Sequence, residues 1–284
     1  MSKPMHDESE RCLSLIGCAL DGDAASLAAI RERYLSLVGC ALNGDAAGLA
    51  AILAPDYPED MGGVALCLAA KHGHVDCVNV IIAASCANAK GSTALRNAAE
   101  NGHLQCLKLL IPLSDPKDCE SKALCLAAER GHADCVELLI PVSESNAGFS
   151  AALCLAAALG RIECVKLLSS ISYAQANCSR ALVEAVKGGH AECVKHLLPL
   201  SAPLLDESDP LRAALSHGQA AIFSIILAHE PLRLDSLHLP SCLLAATDMG
   251  HNELAALLLS LMEKELLHAQ APSVSGSPSP ARRL

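Results

Sequence analysis

Residues 123–150 read ALCLAAERGHADCVELLIPVSESNAGFS, and the flanking segments repeat the statement. Upstream, residues 94–122 read ALRNAAENGHLQCLKLLIPLSDPKDCESK; downstream, residues 152–180 read ALCLAAALGRIECVKLLSSISYAQANCSR. One glycine carries the period: Gly22, Gly44, Gly73, Gly102, Gly131, Gly160, Gly189, Gly218 and Gly250, in steps of 22, then 29 six times, then 32. A leucine column (Leu66, Leu95, Leu124, Leu153, Leu182, Leu211) and a cysteine column (Cys77, Cys106, Cys135, Cys164, Cys193) keep the same phase. So does a serine column: Ser85, Ser114, Ser143, Ser172, Ser201. A supersecondary unit copied at a fixed period marks a solenoid.

The unit predicts two short helices and a loop. Leu124, Ala127 and Ala128 fall on one helical face. Gly131 closes that helix, because glycine readily takes the positive φ found just past a helix end. Asp134 suits the positive end of the next helix dipole. Cys135, Val136, Leu138 and Leu139 give the second helix a broad apolar face. Pro141 is expected to stop it, as are Pro112 and Pro199, since proline lacks the backbone donor. One hairpin is too small to bury its own faces, so stacked copies must bury each other's. Alternating patterns and β-branched runs are scarce, which argues against strands. The expected fold is an all-α helical-hairpin solenoid of about nine hairpins with no regular sheet.

Thr93-Ala94-Leu95, Ala98-Ala99, Gly102-His103 and Leu107-x-Leu109-Leu110 resemble the ankyrin repeat, T-P-L-x-x-A-A-x-x-G-H-x-x-x-V-x-x-L-L. The resemblance spans roughly residues 35–260. The 29-residue unit is about four residues shorter than the usual ankyrin period. The Pro and His of T-P-L-H give way to Ala94 and Arg96, or to Ala123 and Cys125. Compact loops without regular strands are therefore expected where the family has β-hairpin fingers.

The resemblance implies a non-enzymatic protein–protein interaction scaffold that binds a partner protein on the concave face of the array. In proteins with this repeat, the two residues before Gly-His face the groove. Here those pairs nominate Lys71, His72, Glu100, Asn101, Glu129, Arg130, Ala158, Leu159 and Lys187 as partner-binding residues. The pairs vary while the framework around them is nearly copied, although drift on a solvated face would vary them too. Ala158-Leu159 is an apolar pair between charged ones, the pattern of a small anchor with a polar rim. The alternative implied is a secreted bacterial effector using the same surface on a host protein, since short near-identical repeats of this kind are frequent in bacteria living with eukaryotes.

Composition narrows the classes. A chain of 284 residues could hold two ordinary domains, but the unbroken period favours one elongated array. Hydrophobic content is 52% with 2% aromatics and no Trp, so Ala, Leu, Val, Ile and Cys must build the core. No apolar run reaches the 18 or so residues of a membrane span. MSKPMHDESER has no apolar core after a basic start, unlike a secretory signal. A net charge of −10 disfavours nucleic acid as a partner. Fifteen cysteines do not imply a disulfide scaffold, because such scaffolds are short and loop-rich. Packed helices lie about 8–10 Å apart, whereas a disulfide needs Cα atoms within about 7 Å. The phased cysteines are read as reduced, buried thiols acting as small hydrophobes. A reducing compartment follows, the cytoplasm of the cell or of a host, with a monomeric protein.

The chain divides into a flexible N-terminus (1–10), divergent N-terminal repeats (11–54), regular repeats (65–209), divergent C-terminal repeats and cap (210–268) and a disordered Pro/Ser tail (269–284). LSLIGCALDGDAASLAAI (13–30) is nearly repeated as LSLVGCALNGDAAGLAAI (35–52), with only Arg31-Glu32-Arg33-Tyr34 between. Residues 55–60 read as an acidic loop.

Catalytic and metal chemistry find little support. His74/Cys77, His103/Cys106, His132/Cys135 and His190/Cys193 stand at i, i+3, but each repeat offers two ligands where zinc wants about four. A histidine bonded to loop backbone and a core cysteine is the preferred reading. Cys125 and Cys154 lack the Cys/His/Asn surroundings of a catalytic thiol. No phosphate loop, G-x-S-x-G or H-E-x-x-H occurs. No catalytic residue, metal or cofactor is expected.

Overall fold

A computed structural model describes residues 24–53, 59–84, 91–114, 118–143, 146–171, 175–201, 210–229 and 238–270. Among the described residues sixteen α-helices pair into eight hairpins. The first helices are α1 (Ala24–Asn43), α3 (Glu59–His72), α5 (Gly91–Asn101), α7 (Asp118–Arg130), α9 (Asn146–Ala158), α11 (Gln175–Lys187), α13 (Pro210–Ser216) and α15 (Leu239–Asp248). Their partners are α2 (Ala46–Ile52), α4 (Val75–Ala83), α6 (Leu104–Leu110), α8 (Ala133–Leu139), α10 (Ile162–Ser169), α12 (Ala191–Leu197), α14 (Ala220–His229) and α16 (Asn252–Gln270). There is no strand among the described residues. First helices stack on first helices and second on second; every extensive contact lies within a hairpin or between successive hairpins. The expected all-α hairpin solenoid is the observed architecture.

Two chemistries fill the one core that runs along the stack. On the first helices, Ala98, Ala99, Ala127, Ala128, Ala156 and Ala157 are fully buried beside the leucine column. Alanine favours helix and lets a neighbouring helix approach closely. On the second helices, Cys77, Cys106, Cys135, Cys164 and Cys193 are buried beside valines and leucines. All five are free thiols inside apolar surroundings, as their column position requires. Burial raises their pKa values, in Cys135 and Cys164 to about 11.

Two expectations need correction. Glu59 and Asp60 open α3 and are not loop, because carboxylates suit a first helical turn. Residues 55–58 of that acidic stretch lie outside the described residues. The first helices begin earlier than the apolar period suggests, α7 at Asp118 and not at Ala123, which shortens the connections. The second α-helices do end just before the prolines, at Leu110, Leu139 and Leu197, and the chain goes on in a 3₁₀ turn. Pro112, Pro141 and Pro199 each sit in the first turn of a 3₁₀ turn (Ile111–Leu113, Ile140–Val142, Leu198–Leu200), where a missing N–H costs no bond. Arg31–Tyr34, which joins the two near-copies without the usual loop, is itself helical: α1 runs through it for 20 residues. Arg and Glu are good helix formers and no Gly or Pro intervenes, so two successive helices fuse. The first helix of the hairpin expected at 13–30, the N-terminus (1–10) and the tail from 271 lie outside the described residues.

Candidate interaction surface

The nominated pairs close the first helices, where the last carbonyls have no intrahelical donor. The following repeat supplies one. His103 Nε2 lies 3.0 Å from Lys71 O, His132 Nε2 3.1 Å from Glu100 O, and His190 Nε2 3.0 Å from Ala158 O. His74 reaches Leu42 O in the same way, at 2.9 Å. A carbonyl only accepts, so Nε2 carries the hydrogen and donates. In α9–α10 the histidine is replaced, and Arg161 Nε donates to Glu129 O at 3.2 Å. The ring seats against the preceding glycine. At Gly102, φ is 76°, and an added Cβ would stand 2.6 Å from His132 Nδ1. Glycine thus serves the turn and the close approach together.

The i, i+3 histidines and cysteines point into different surroundings. The imidazole caps a neighbouring helix, while the thiol lies in the core. Among the described residues no three His, Cys, Asp or Glu side chains gather as a metal ion would need. Cys125 is buried with Sγ 3.7 Å from Gly148 O. Cys154 is half-buried, and burial pushes its thiol pKa up.

The pairs form a row along the array. Lys71 is half-buried and His72 exposed at the end of α3. The His72 ring stacks on His74 with centroids 6.1 Å apart. Desolvation holds the His72 imidazole below its ordinary pKa, helped by the electrostatic influence of His74, Lys71 and His103. Asn101 is exposed and donates back to Asn97 O. Arg130 reaches one repeat back to Glu100, 2.7 Å away, and that bond raises its pKa. Glu129 is half-buried beside it. Ala158 is half-buried, whereas Leu159, one residue past α9, is 44% exposed. Lys187 pairs with Glu184, one turn earlier on α11, at 2.9 Å. Of the nominated residues, Glu100 and Arg130 are brought into direct contact; the others line up repeat by repeat.

A family model for ankyrin repeats, in three copies, matches residues 27–122 and 112–181, more than half of the chain. The chain belongs to the ankyrin repeat family. No curated protein shows a match to it. Ankyrin repeats are in general protein–protein interaction scaffolds. In this ankyrin chain the hairpin pattern continues beyond the matched residues, through α16. No helix among the described residues is long and apolar enough to cross a membrane.

Sequence reasoning passed over two members of the row. Glu184 stands at i−3 from Lys187, a spacing that pairs charges on a helix. Arg161 breaks the Gly-His column of the ankyrin array, and that break was the available signal.

Proposed function

We propose that this ankyrin array is a non-enzymatic scaffold that binds a partner protein along the row of helix-end pairs. The observation that carries the reading is Leu159. It is exposed among charged neighbours on a framework that is otherwise copied from repeat to repeat. An apolar centre with a polar rim is how interface anchors are built. The two packing chemistries support a concave side there. Alanines fill the first-helix layer, while larger Cys, Val and Leu side chains fill the second. Stacked units that are thinner on one side curve toward it. The free, buried thiols suit a reducing compartment.

A photo-crosslinking residue placed at Leu159, and separately at Lys166 on α10, tests this in the cells that make the protein. The expected result is one partner captured from position 159 and not from 166. Equal capture from both positions sinks the reading.

A further inference from the structure

The row carries an unused recognition device at its centre. Arg161 lies over Gly131: a Cβ on that glycine would meet Arg161 Cδ at 2.8 Å. Its Nε is engaged by Glu129 O, which fixes the guanidinium beside the end of α7. Among the described residues its two terminal amino groups have no partner. Arg130 and Lys187, the flanking cations, are already paired with Glu100 and Glu184. Two residues from Arg161 stands exposed Leu159. On the far side of Leu159 the next repeat offers Gly188, whose backbone sits so close to Ala158 O that a Cβ would stand 2.5 Å away. Gly188 itself brings no side chain there.

Resting on the scaffold reading above, we propose that this point takes a short acidic peptide. An aliphatic side chain of the peptide packs on Leu159 beside Gly188, and a neighbouring Asp or Glu accepts from the terminal amino groups of Arg161. With Nε occupied, the carboxylate meets the guanidinium end-on, accepting one N–H from each amino group. A single carboxylate fits the charge here. Glu129, whose backbone takes the Arg161 Nε, already adds one acidic residue at this point, which disfavours the larger negative charge of a phosphate.

The test uses the full chain and a displayed library of random dodecapeptides. Two variants accompany it: Leu159→Asp, and Arg161→His, which restores the residue usual at this position and keeps a donor for Glu129 O. Selected peptides are expected to share an aliphatic residue near an Asp or Glu. Arg161→His should weaken them about tenfold or more, with the melting temperature unchanged or raised. Changing the peptide's acid to its amide should lose the same factor, and the two losses should not add. Peptides without an acid, or indifferent to Arg161→His yet lost with Leu159→Asp, overturn this inference and leave the scaffold reading standing. Peptides that bind both variants as well as the natural chain, or no enrichment over the Leu159→Asp protein, overturn both.

Discussion

Ser169 Oγ and His196 Nε2 lie 2.9 Å apart across the seam between α10 and α12. The equivalent positions in the neighbouring repeats hold Ile82 and Leu109, Ile111 and Leu138, Ile140 and Leu167, and Leu198 and Ile225. Ser169 also donates to Lys166 O, so the imidazole is the donor to Ser169. A polar pair here stands in for an apolar one, and each member needs the other. Ser169→Ala should cost about 1–2 kcal/mol, because it strands a half-buried imidazole nitrogen. Ser169→Ile with His196→Leu should recover that loss. Urea unfolding of the single and double variants decides it; strictly additive losses would show that the two residues are not coupled.

Gly102 and Gly39 should respond oppositely to alanine. Gly102 sits at positive φ with His132 against it, so Gly102→Ala should destabilise by at least about 2 kcal/mol. Gly39 lies inside α1 with open space where a Cβ would go, so Gly39→Ala should stabilise by about 0.5–1 kcal/mol. Thermal melts of both variants check the pair, and a loss at Gly39 would contradict the fused helix.

Alkaline pH should loosen the array. Thiols of the unfolded chain ionise near pH 9, whereas folded Cys135 and Cys164 keep their protons to about 11. In between, the unfolded state sheds protons first. Stability is therefore full below pH 9 and falls as pH rises through 11, by up to about 2–3 kcal/mol per thiol. In Cys135→Ala/Cys164→Ala the slope between pH 9 and 11 should flatten relative to the parent. Equal slopes would mean that these thiols are not desolvated.

Leu159→Asp should weaken partner binding by about 2 kcal/mol or more, because it sets a charge against an apolar contact. Unfolding free energy should move by less than about 0.5 kcal/mol, since the side chain faces solvent. Lys166→Ala removes only an exposed pair with Glu163 and serves as the control. Equal binding losses in the two would point to a structural effect.

The stack itself was legible in the chain. Gly131 and its copies marked each helix end, and Ala127, Ala128 and Cys135 fell on buried faces as their spacing requires. Element starts were less legible, because the helices open with polar residues such as Asp118 and Glu59 that carry no apolar period. The row of pairs could be located through Gly-His, but its internal bonds could not. Arg130 with Glu100 and Ser169 with His196 join residues of different repeats, and only packing brings them together. Arg161 was visible as a broken column, yet its bond to Glu129 O needed the fold.

His74, His103, His132 and His190 each cap a helix of the preceding copy, 32 residues earlier in the chain. On a ribosome, then, a hairpin emerges with its own helix still open and is finished only when its successor's Gly-His appears. Completion travels from the N-terminus toward the C-terminus one copy behind synthesis. A stalled chain always ends in one unfinished unit, the natural point of attack for a chaperone or a protease.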